Sequence, residues 1–305
     1  MNIVMTGATS GIGLAAARRL IAESGASVVV GARTPARARE DIRSKARTLP
    51  LDLARLQSVR DFAAMLANEP AIDALILNAG LQTQHRQVSD DGFEMTFAVN
   101  HLAHYLLARL LVPRVANGGR IILTSSGTHD PDLKTGMPPP PHADARKLAH
   151  PAMDPARDKN AGTAGRRAYS TSKLCNVMTV RSLATHLAGD RPDIMLAAFD
   201  PGFTPGTGLA RDYPGPLNLI FRHVMPIFAR GERISTPENS GRLLSDLATE
   251  PQYQSARGAY FAVRGSRLVE TPPSKLARDD AAGERLWRVS AAMVGLGQAG
   301  RPEEV

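Results

Sequence analysis

The sequence of 305 residues contains a single cysteine, Cys175, and a single tryptophan. One cysteine excludes an intrachain disulfide framework and a cysteine metal cluster. Cys175 falls on a predicted helix, where we expect it to be a small buried apolar side chain and not a nucleophile. No apolar run is long enough to span a bilayer, and the chain begins in a predicted strand, without room for a signal peptide. We therefore expect a cytoplasmic protein without an integral membrane segment.

The sequence also lacks a compact block of basic residues. Lys and Arg number 37 against 29 Asp and Glu, which gives a net charge of +8, but the arginines are spread through predicted helices. No aromatic-basic motif accompanies the charge, so we expect no nucleic-acid partner. Two interpretations of the charge stay open: a solvated surface, or a field that favours an anionic cofactor or substrate.

The histidines do not form a metal-binding pattern. His101 and His104 are close on one predicted helix, but no carboxylate stands in an evident third position. His85 and His129 are isolated in sequence. We interpret all four as core or surface residues and predict no metal site.

Apolar runs and helical patterns alternate along most of the chain, as in an α/β fold with a parallel sheet. We predict a doubly wound, mostly parallel Rossmann sheet in one domain. The strands are predicted at 3–5, 27–30, 47–50, 72–77, 120–124, 194–199 and 259–263. The helices are predicted at 13–22, 34–42, 58–67, 94–115, 168–187 and 236–247.

Two segments are too long to be ordinary connections: an insertion at 127–167, and residues 201–233. We predict that the domain covers 1–265, that 201–233 forms a substrate lid, and that 266–305 is a C-terminal extension. The apolar residues of the lid would close over an apolar substrate, although packing on the core or on another subunit, or contact with a membrane surface, would also use them. They are Leu217, Leu219, Ile220, Phe221, Val224, Ile227 and Phe228.

A glycine-rich turn follows the first predicted strand, in the segment Thr6-Gly7-Ala8-Thr9-Ser10-Gly11-Ile12-Gly13. Glycines between a strand and a helix allow the backbone to approach a pyrophosphate closely. The free N–H groups at the start of the helix favour its negative charge. The turn therefore predicts a dinucleotide cofactor.

The end of the second predicted strand, Gly31-Ala32-Arg33, lacks the acidic residue with which proteins that prefer NAD usually hold the ribose hydroxyls. Arg33 could instead bind a 2′-phosphate. We therefore predict NADP(H) as the cofactor, against the alternative that Arg33 is a surface residue at the start of a helix.

Three further motifs follow the turn: Asn78-Ala79-Gly80, Ser125-Ser126, and Tyr169-Ser170-Thr171-Ser172-Lys173. Together, in this order, they resemble the short-chain dehydrogenase/reductase family, which moves hydride between a nicotinamide cofactor and a carbonyl, alcohol or activated double bond. The resemblance extends over residues 2–262. The spacing Gly-x-x-x-Gly-x-Gly is also similar to that of this family.

The resemblance implies a catalytic tetrad of Tyr169, Lys173, Ser126 and Asn100. Tyr169 would be the proton donor, and the positive charge of Lys173, one helical turn later, would lower the pKa of the phenol. Ser126 would hydrogen-bond the substrate oxygen, and Asn100 would hold a relay water. The cofactor would bind at Gly7, Thr9, Ser10, Gly11, Ile12, Gly13, Arg33, Asp52, Leu53, Asn78, Ala79, Gly80, Tyr169, Lys173, Pro201, Gly202 and Thr204.

The interval between Ser126 and Tyr169, 43 positions, is longer than in compact family members. It resembles the branch that contains retinol dehydrogenases and light-dependent protochlorophyllide reductases. We thus expect an NADP(H)-dependent oxidoreductase for a small or lipophilic carbonyl or alcohol, or a polarised alkene, and a homo-oligomer is possible. The alternative is a cofactor-binding sensor or scaffold without turnover. Such proteins commonly lose the tyrosine or the lysine, whereas this chain keeps both.

Overall fold

One eight-stranded sheet organises the chain, whose computed structural model describes residues 1–23, 25–205 and 232–297. The strand order is β3-β2-β1-β4-β5-β6-β7-β8. All neighbouring pairs are parallel except β7 and β8. This confirms the predicted Rossmann-type fold. The strands are β1 (Asn2–Thr6), β2 (Ser27–Ala32), β3 (Arg47–Pro50), β4 (Ile72–Leu77), β5 (Val115–Thr124), β6 (Met195–Asp200), β7 (Arg257–Arg264) and β8 (Arg267–Glu270).

Helices cover both faces of the sheet. Successive side chains of a strand point to opposite faces, so Val4 packs into one apolar cluster while Ile3 and Met5 pack into the other. The helices are α1 (Gly11–Glu23), α2 (Glu40–Arg43), α3 (Leu56–Met65), α4 (Met95–Phe97), α5 (Ala103–Leu111), α6 (Ala145–Ala149), α7 (Ala161–His186), α8 (Pro237–Thr249) and α9 (Asp280–Met293). Helices α1 and α8 pack on one face, and α3, α5, α7 and α9 on the other.

The helix predicted at 34–42 is wrong. A 3-10 turn covers Pro35–Arg37, the backbone of Ala38 is extended, and α2 begins only at Glu40. The side chain of Thr34 accepts no hydrogen bond from the first turn, so the expected cap is missing.

The long helix predicted at 94–115 is divided. After α4, a π-helical turn at Ala98–Leu102 contains Asn100, and α5 then ends at Leu111. A 3-10 turn containing Pro113 follows, because proline cannot continue the hydrogen-bond ladder of an α-helix. π-Helical turns are rare and occur frequently at functional sites.

The insertion at 127–167 contains regular structure. It includes short 3-10 turns, α6 and the first turns of α7, which begins seven residues before the predicted start, at Ala161, with the Asn160 side chain as its cap. The guanidinium of Arg167 donates two hydrogen bonds to the carboxylate of Asp158 and one to the carbonyl of Pro139. These contacts fasten the insertion to the helix that contains Tyr169.

The seven apolar residues of the predicted lid lie outside the described residues. The two described flanks of this segment meet, because the amide of Phe203 donates to the carbonyl of Arg233 at 2.7 Å and the amide of Ser235 donates to the carbonyl of Phe203 at 3.0 Å. The lid itself stays a prediction.

Residues 266–297 complete the sheet and one helical layer. Strand β8, which the sequence analysis missed, pairs antiparallel with β7. In α9, Leu286 and Trp287 are buried in the same apolar cluster as α7. The Tyr105 hydroxyl donates to the carbonyl of Trp287 at 3.0 Å, which fixes α9 against α5.

The topology brings four strand ends together. Strands β1, β4, β5 and β6 are neighbours, so the residues after Thr6, Leu77, Thr124 and Asp200 meet at one edge of the sheet. The order of the strands reverses between β1 and β4, where doubly wound proteins bind their ligands.

Substitution of a glycine in α8, compared with substitution of a glycine in α9, tests how closely α1 and α8 pack. At Gly241 in α8, a Cβ atom would lie 2.5 Å from the Cβ of Ala15 in α1, whereas at Gly283 in α9 the nearest atom would be at an ordinary 3.6 Å. We expect Gly241→Ala to lower the free energy of unfolding by about 1–3 kcal/mol through overpacking. Gly283→Ala should raise it by up to about 1 kcal/mol through helix propensity. Denaturant unfolding measures the free energy of unfolding of both variants. A change of the same sign in the two variants would contradict this packing.

Candidate active site

The glycine turn after β1 leaves no room for side chains. Gly7 and Gly11 have φ angles of +72° and +56°, a region that favours glycine. A Cβ atom on Gly13 would lie 2.1 Å from the carbonyl oxygen of Gly7. The turn is therefore closely packed against the start of α1, with Thr9 exposed at its tip.

The segment after β4 supports this turn. The side-chain amide of Asn78 donates to the carbonyl of Gly7 at 3.3 Å and its oxygen accepts from the Thr124 hydroxyl at 3.2 Å. The amides of Asn78 and Ala79 both donate to the Thr6 hydroxyl, at 3.0 and 3.1 Å. Asn78 thus connects the ends of β1, β4 and β5.

The hydroxyl of Thr6 also contacts a buried histidine. It lies 3.0 Å from Nε2 of His104, whose Nδ1 lies 3.2 Å from the carbonyl of Asn100. Because the hydroxyl oxygen already accepts two amides, its proton points to Nε2, and the proton of the ring is on Nδ1. Burial lowers the pKa of His104 to about 4, which agrees with a neutral ring.

Asn100 is fully buried in the π-helical turn. Its side-chain oxygen accepts from the amide of Leu81 at 2.8 Å, and its amide donates to the carbonyl of Leu81 at 2.9 Å and to the Ser172 hydroxyl at 3.0 Å. The side chain therefore fixes the chain after Gly80 to α7. The carbonyl of Asn100 receives His104, and the predicted relay water at Asn100 stays a prediction.

Tyr169, Ser126 and Lys173 converge beside the glycine turn. Tyr169 forms a hydrogen bond with the Ser126 side chain, and Nζ of Lys173 lies 5.5 Å from the centre of the Tyr169 ring. Nζ donates to the carbonyl of Thr124 at 3.0 Å. A Cβ atom on Gly80 would lie 3.4 Å from both Lys173 Nζ and Asn100 Oδ1. The predicted catalytic residues thus form one cluster with the residues after β4.

The two adjacent serines have different surroundings. Ser125 is buried, and its hydroxyl donates to the carbonyl of Lys173 at 2.9 Å. Ser126 is only partly buried, and its hydroxyl oxygen accepts from the amide of Thr128 at 3.3 Å. Ser126 is thus the more accessible of the two hydroxyls, although its side chain also contacts Tyr169. The choice of Ser126 over Ser125 stays a prediction.

The pKa of Tyr169 is raised in this structure, whereas the sequence analysis predicts that it is lowered. Burial, together with the charge of Asp200, raises the pKa of the phenol, and the hydrogen bond with Ser126 only partly opposes this. Burial lowers the pKa of Lys173 to about 8, against the charge of Asp200, which raises it. Desolvation is the largest cause of both shifts.

Asp200, at the end of β6, is a site residue that the sequence analysis missed. Its carboxylate is buried, accepting the hydroxyl of Tyr260 at 2.9 Å and the amide of Gly202 at 3.0 Å. Only its position before Pro201-Gly202 could have indicated it. The hydroxyl of Thr204 donates to the carbonyls of Pro201 and Gly202, so this predicted cofactor loop is folded back on itself.

The residues predicted for the adenosine half of the cofactor lie farther along the same edge. Arg33, just after β2, is exposed. Asp52 accepts the amide of Ala54 at 3.1 Å and its own amide donates to the Ser58 hydroxyl. Leu53 is 8% exposed and belongs to the core, so only a small part of it can contact a ligand.

These residues fit a dinucleotide cofactor. The turn is tightly packed, because any Cβ at Gly7 or Gly13 would clash with the chain itself. The 13-residue helix α1 begins within it at Gly11, so free backbone N–H groups lie where a pyrophosphate would be bound. Within the described ranges, no three His, Cys, Asp or Glu residues are grouped to hold a metal ion.

Comparison with known sequences identifies the family. The family described as short chain dehydrogenase matches residues 1–134. The provisionally named daunorubicin C-13 ketoreductase DnrU from Streptomyces sp. (strain C5) is 36% identical, over 96% of this chain and 92% of that protein. The chain belongs to the short-chain dehydrogenase/reductase family. Human retinol dehydrogenase 14 is 32% identical over 97% and 86% of the two chains, and rice protochlorophyllide reductase B is 31% identical over 96% and 77%.

Solved structures show the same fold. An uncharacterized protein from Mycobacterium paratuberculosis matches with a TM-score of 0.69 and 26% identity, over 96% of this chain and 93% of that one. A provisionally named gluconate 5-dehydrogenase from Beutenbergia cavernae with bound NADP matches with a TM-score of 0.62 and 27% identity. The match covers 87% of this chain and 95% of that one. A 3-ketoacyl-(acyl-carrier-protein) reductase from Brucella melitensis complexed with NADH matches with a TM-score of 0.59 and 24% identity. The match covers 87% of this chain and 97% of that one.

Family membership makes this chain an oxidoreductase with a nicotinamide cofactor and a small-molecule substrate. None of the helices in the described ranges is long and apolar enough to cross a membrane. The cytoplasmic location and the homo-oligomer stay predictions.

The charge of Asp200 generates a test by pH. Lys173 loses its charge as the pH rises through about 8. Asp200 favours the charged ammonium and the neutral phenol of Tyr169, so Asp200→Asn should lower both pKa values. The fall of the oxidoreductase rate on the alkaline side of its pH profile should therefore move to lower pH. Asp193→Asn, at the other end of β6, is the control. A fall that stays in place or moves to higher pH in Asp200→Asn would contradict this account.

Proposed function

We propose that the protein is an NADP(H)-dependent oxidoreductase that transfers hydride to or from a small or lipophilic carbonyl or alcohol. The observation that carries this proposal is the cluster of Tyr169, Ser126 and Lys173 near the tightly packed glycine turn at which α1 begins. Asn100 completes the proposed catalytic tetrad as a positioning residue, because among the described residues its side chain hydrogen-bonds to Leu81 and Ser172.

The glycine turn would hold the pyrophosphate, with Thr9, Ser10, Gly11 and Ile12 at the start of α1 and Asn78, Ala79 and Gly80 along the nicotinamide half. Pro201, Gly202 and Thr204 would border the nicotinamide on the other side, and Asp52 and Leu53 the adenine. The bound cofactor supplies or accepts the hydride. The preference for NADP(H) rests on Arg33, since the similar structures hold NADP in one case and NADH in another.

Tyr169 would act as the proton donor. Its raised pKa keeps the phenol protonated near neutral pH, and the proton moves only when negative charge develops on the substrate oxygen. Ser126 would donate a second hydrogen bond to that oxygen and orient it. Lys173 would provide a positive charge within the cluster and hold the nicotinamide ribose.

The substrate class is supported by the similar proteins, whose names include a ketoreductase and a retinol dehydrogenase. A ketone and an alcohol are the two sides of one hydride transfer, so the same residues serve both directions. Because no contact in the described chain indicates a pigment site, we do not extend the proposal to the chemistry of protochlorophyllide reductase.

Cofactor choice is tested by titration calorimetry with NADPH and NADH. Loss of a charge-assisted contact with a phosphate costs about 1.5–3 kcal/mol, so Arg33→Ala should weaken NADPH binding about tenfold or more and leave NADH binding unchanged. Arg37→Ala, which removes another exposed arginine four residues later, is the control. Equal or tighter binding of NADH by the unaltered protein would contradict the proposed preference.

The proton donor is tested with Tyr169→Phe. Removal of a positioned acid costs about 10²–10⁴-fold in rate, and the buried ring stays in place. We expect turnover to fall by this factor while the dissociation constant of NADPH changes little. Tyr253→Phe, on the opposite face of the sheet beside Phe261, is the matched control. Retained turnover in Tyr169→Phe would exclude the assigned role.

A further inference from the structure

Another buried histidine, besides His101 and His104, contacts the backbone of the proposed catalytic serine. His129 is 1% exposed and ends the 3-10 turn that begins after Ser126. Its Nδ1 is 2.7 Å from the carbonyl oxygen of Ser126. Its Nε2 is 3.2 Å from the amide nitrogen of Ser274, a residue 145 positions later in the chain.

The two partners of His129 determine where its proton lies. The amide of Ser274 can only donate, so Nε2 must present its lone pair. The remaining ring proton is then on Nδ1 and is donated to the carbonyl of Ser126. Imidazolium would place an N–H group against the N–H of Ser274, so this arrangement requires the neutral ring. Burial lowers the pKa of His129, against the opposing effects of Ser126, Asp200 and Asp130.

The surroundings hold the ring in this position. Its centre lies 4.9 Å from that of Tyr260, whose hydroxyl binds the carboxylate of Asp200. Ser274 is itself fixed, because its hydroxyl accepts the amide of Ala277 and its carbonyl accepts the amide of Arg278. The histidine therefore connects Ser126 with the segment that follows β8.

We propose that His129 is a positioning residue for Ser126, and that the backbone of Ser274 selects its Nδ1–H form. The inference rests on the proposed function, because it concerns the serine that would bind the substrate oxygen. The carbonyl of Ser126 belongs to the peptide plane after its Cα atom, so holding this carbonyl restrains the backbone from which the hydroxyl projects. Displacement of a catalytic group by about 1 Å can cost about 10²-fold in rate.

Two substitutions separate the two hydrogen bonds of His129. His129→Asn keeps an N–H donor near the position of Nδ1 and loses the acceptor for Ser274. His129→Gln keeps an acceptor near the position of Nε2 and loses the side-chain donor for Ser126, while the main-chain amide of residue 129 still donates to that carbonyl at 3.2 Å. With NADPH and the lipophilic diketone phenanthrenequinone, we expect kcat to fall about 10–100-fold in His129→Gln. In His129→Asn it should stay within about threefold of the unaltered protein.

A double-mutant cycle with Ser126→Ala distinguishes positioning from a structural role. If His129 acts through the serine hydroxyl, His129→Gln should lower kcat in the presence of Ser126 and have no further effect on Ser126→Ala. An equal loss in both backgrounds would overturn the inference, as would unchanged kcat in His129→Gln. Full activity of Ser126→Ala, or no turnover by the unaltered protein, would instead contradict the proposed function.

The tautomer provides a readout that does not depend on turnover. Nitrogen-15 NMR of histidine-labelled protein, with His129→Asn to assign the signal, should show the neutral Nδ1–H form of His129 at neutral pH. The Nε2–H form or the imidazolium ion would overturn the inference even if activity behaves as expected.

Discussion

The candidate site depends on a buried ammonium group. Lys173 is 2% exposed, and its Nζ is held by the carbonyl of Thr124 at the end of β5. Burial of a charge is costly without compensation, and here the neighbouring anion, Asp200, favours the charged form. Two further hydrogen bonds hold the backbone around the ammonium group. The hydroxyl of Ser125 donates to the carbonyl of Lys173, and the side-chain amide of Asn176 donates to the same carbonyl of Thr124 that accepts Nζ.

Two neutral histidines connect the backbone of the site to neighbouring parts of the fold. His104 joins the start of the glycine turn to the π-helical turn through Thr6 and Asn100. His129 joins Ser126 to the segment after β8. Each ring donates from Nδ1 to a main-chain carbonyl and accepts at Nε2, a pattern that only neutral imidazole supports. The two rings thus fix backbone at Asn100 and at Ser126 without introducing charge.

The sheet and the main motifs could be predicted because their signals are local. From Ala74 to Leu77, strand β4 is a continuous apolar run, since both faces of a parallel sheet are buried, and Gly7 and Gly13 are required by one turn. Asp200 and His129 could not be assigned, because their partners Tyr260 and Ser274 are 60 and 145 positions away. Strand β8 was missed because, in the burial pattern of Arg267–Glu270, three residues are exposed and one is half-buried, which leaves no buried face to read.

The electrostatics of Tyr169 could not be predicted either. Spacing places Tyr169 and Lys173 on one face of α7, and a nearby cation would lower the pKa of the phenol. Only the packed structure shows how deeply each group is buried and that Asp200 is near. Both burial and Asp200 raise the pKa of Tyr169, so the net shift is opposite to the predicted one.

The central claim is that this cluster supports hydride transfer to a carbonyl carbon. Its most direct test uses NADPH in which both hydrogens at C4 of the nicotinamide are deuterium, with a panel of lipophilic ketones and aldehydes, followed by mass spectrometry of the alcohol products. The account predicts one deuterium on the carbinol carbon of each alcohol formed. If the protein binds NADPH but no product contains deuterium, the cluster does not carry out this reaction.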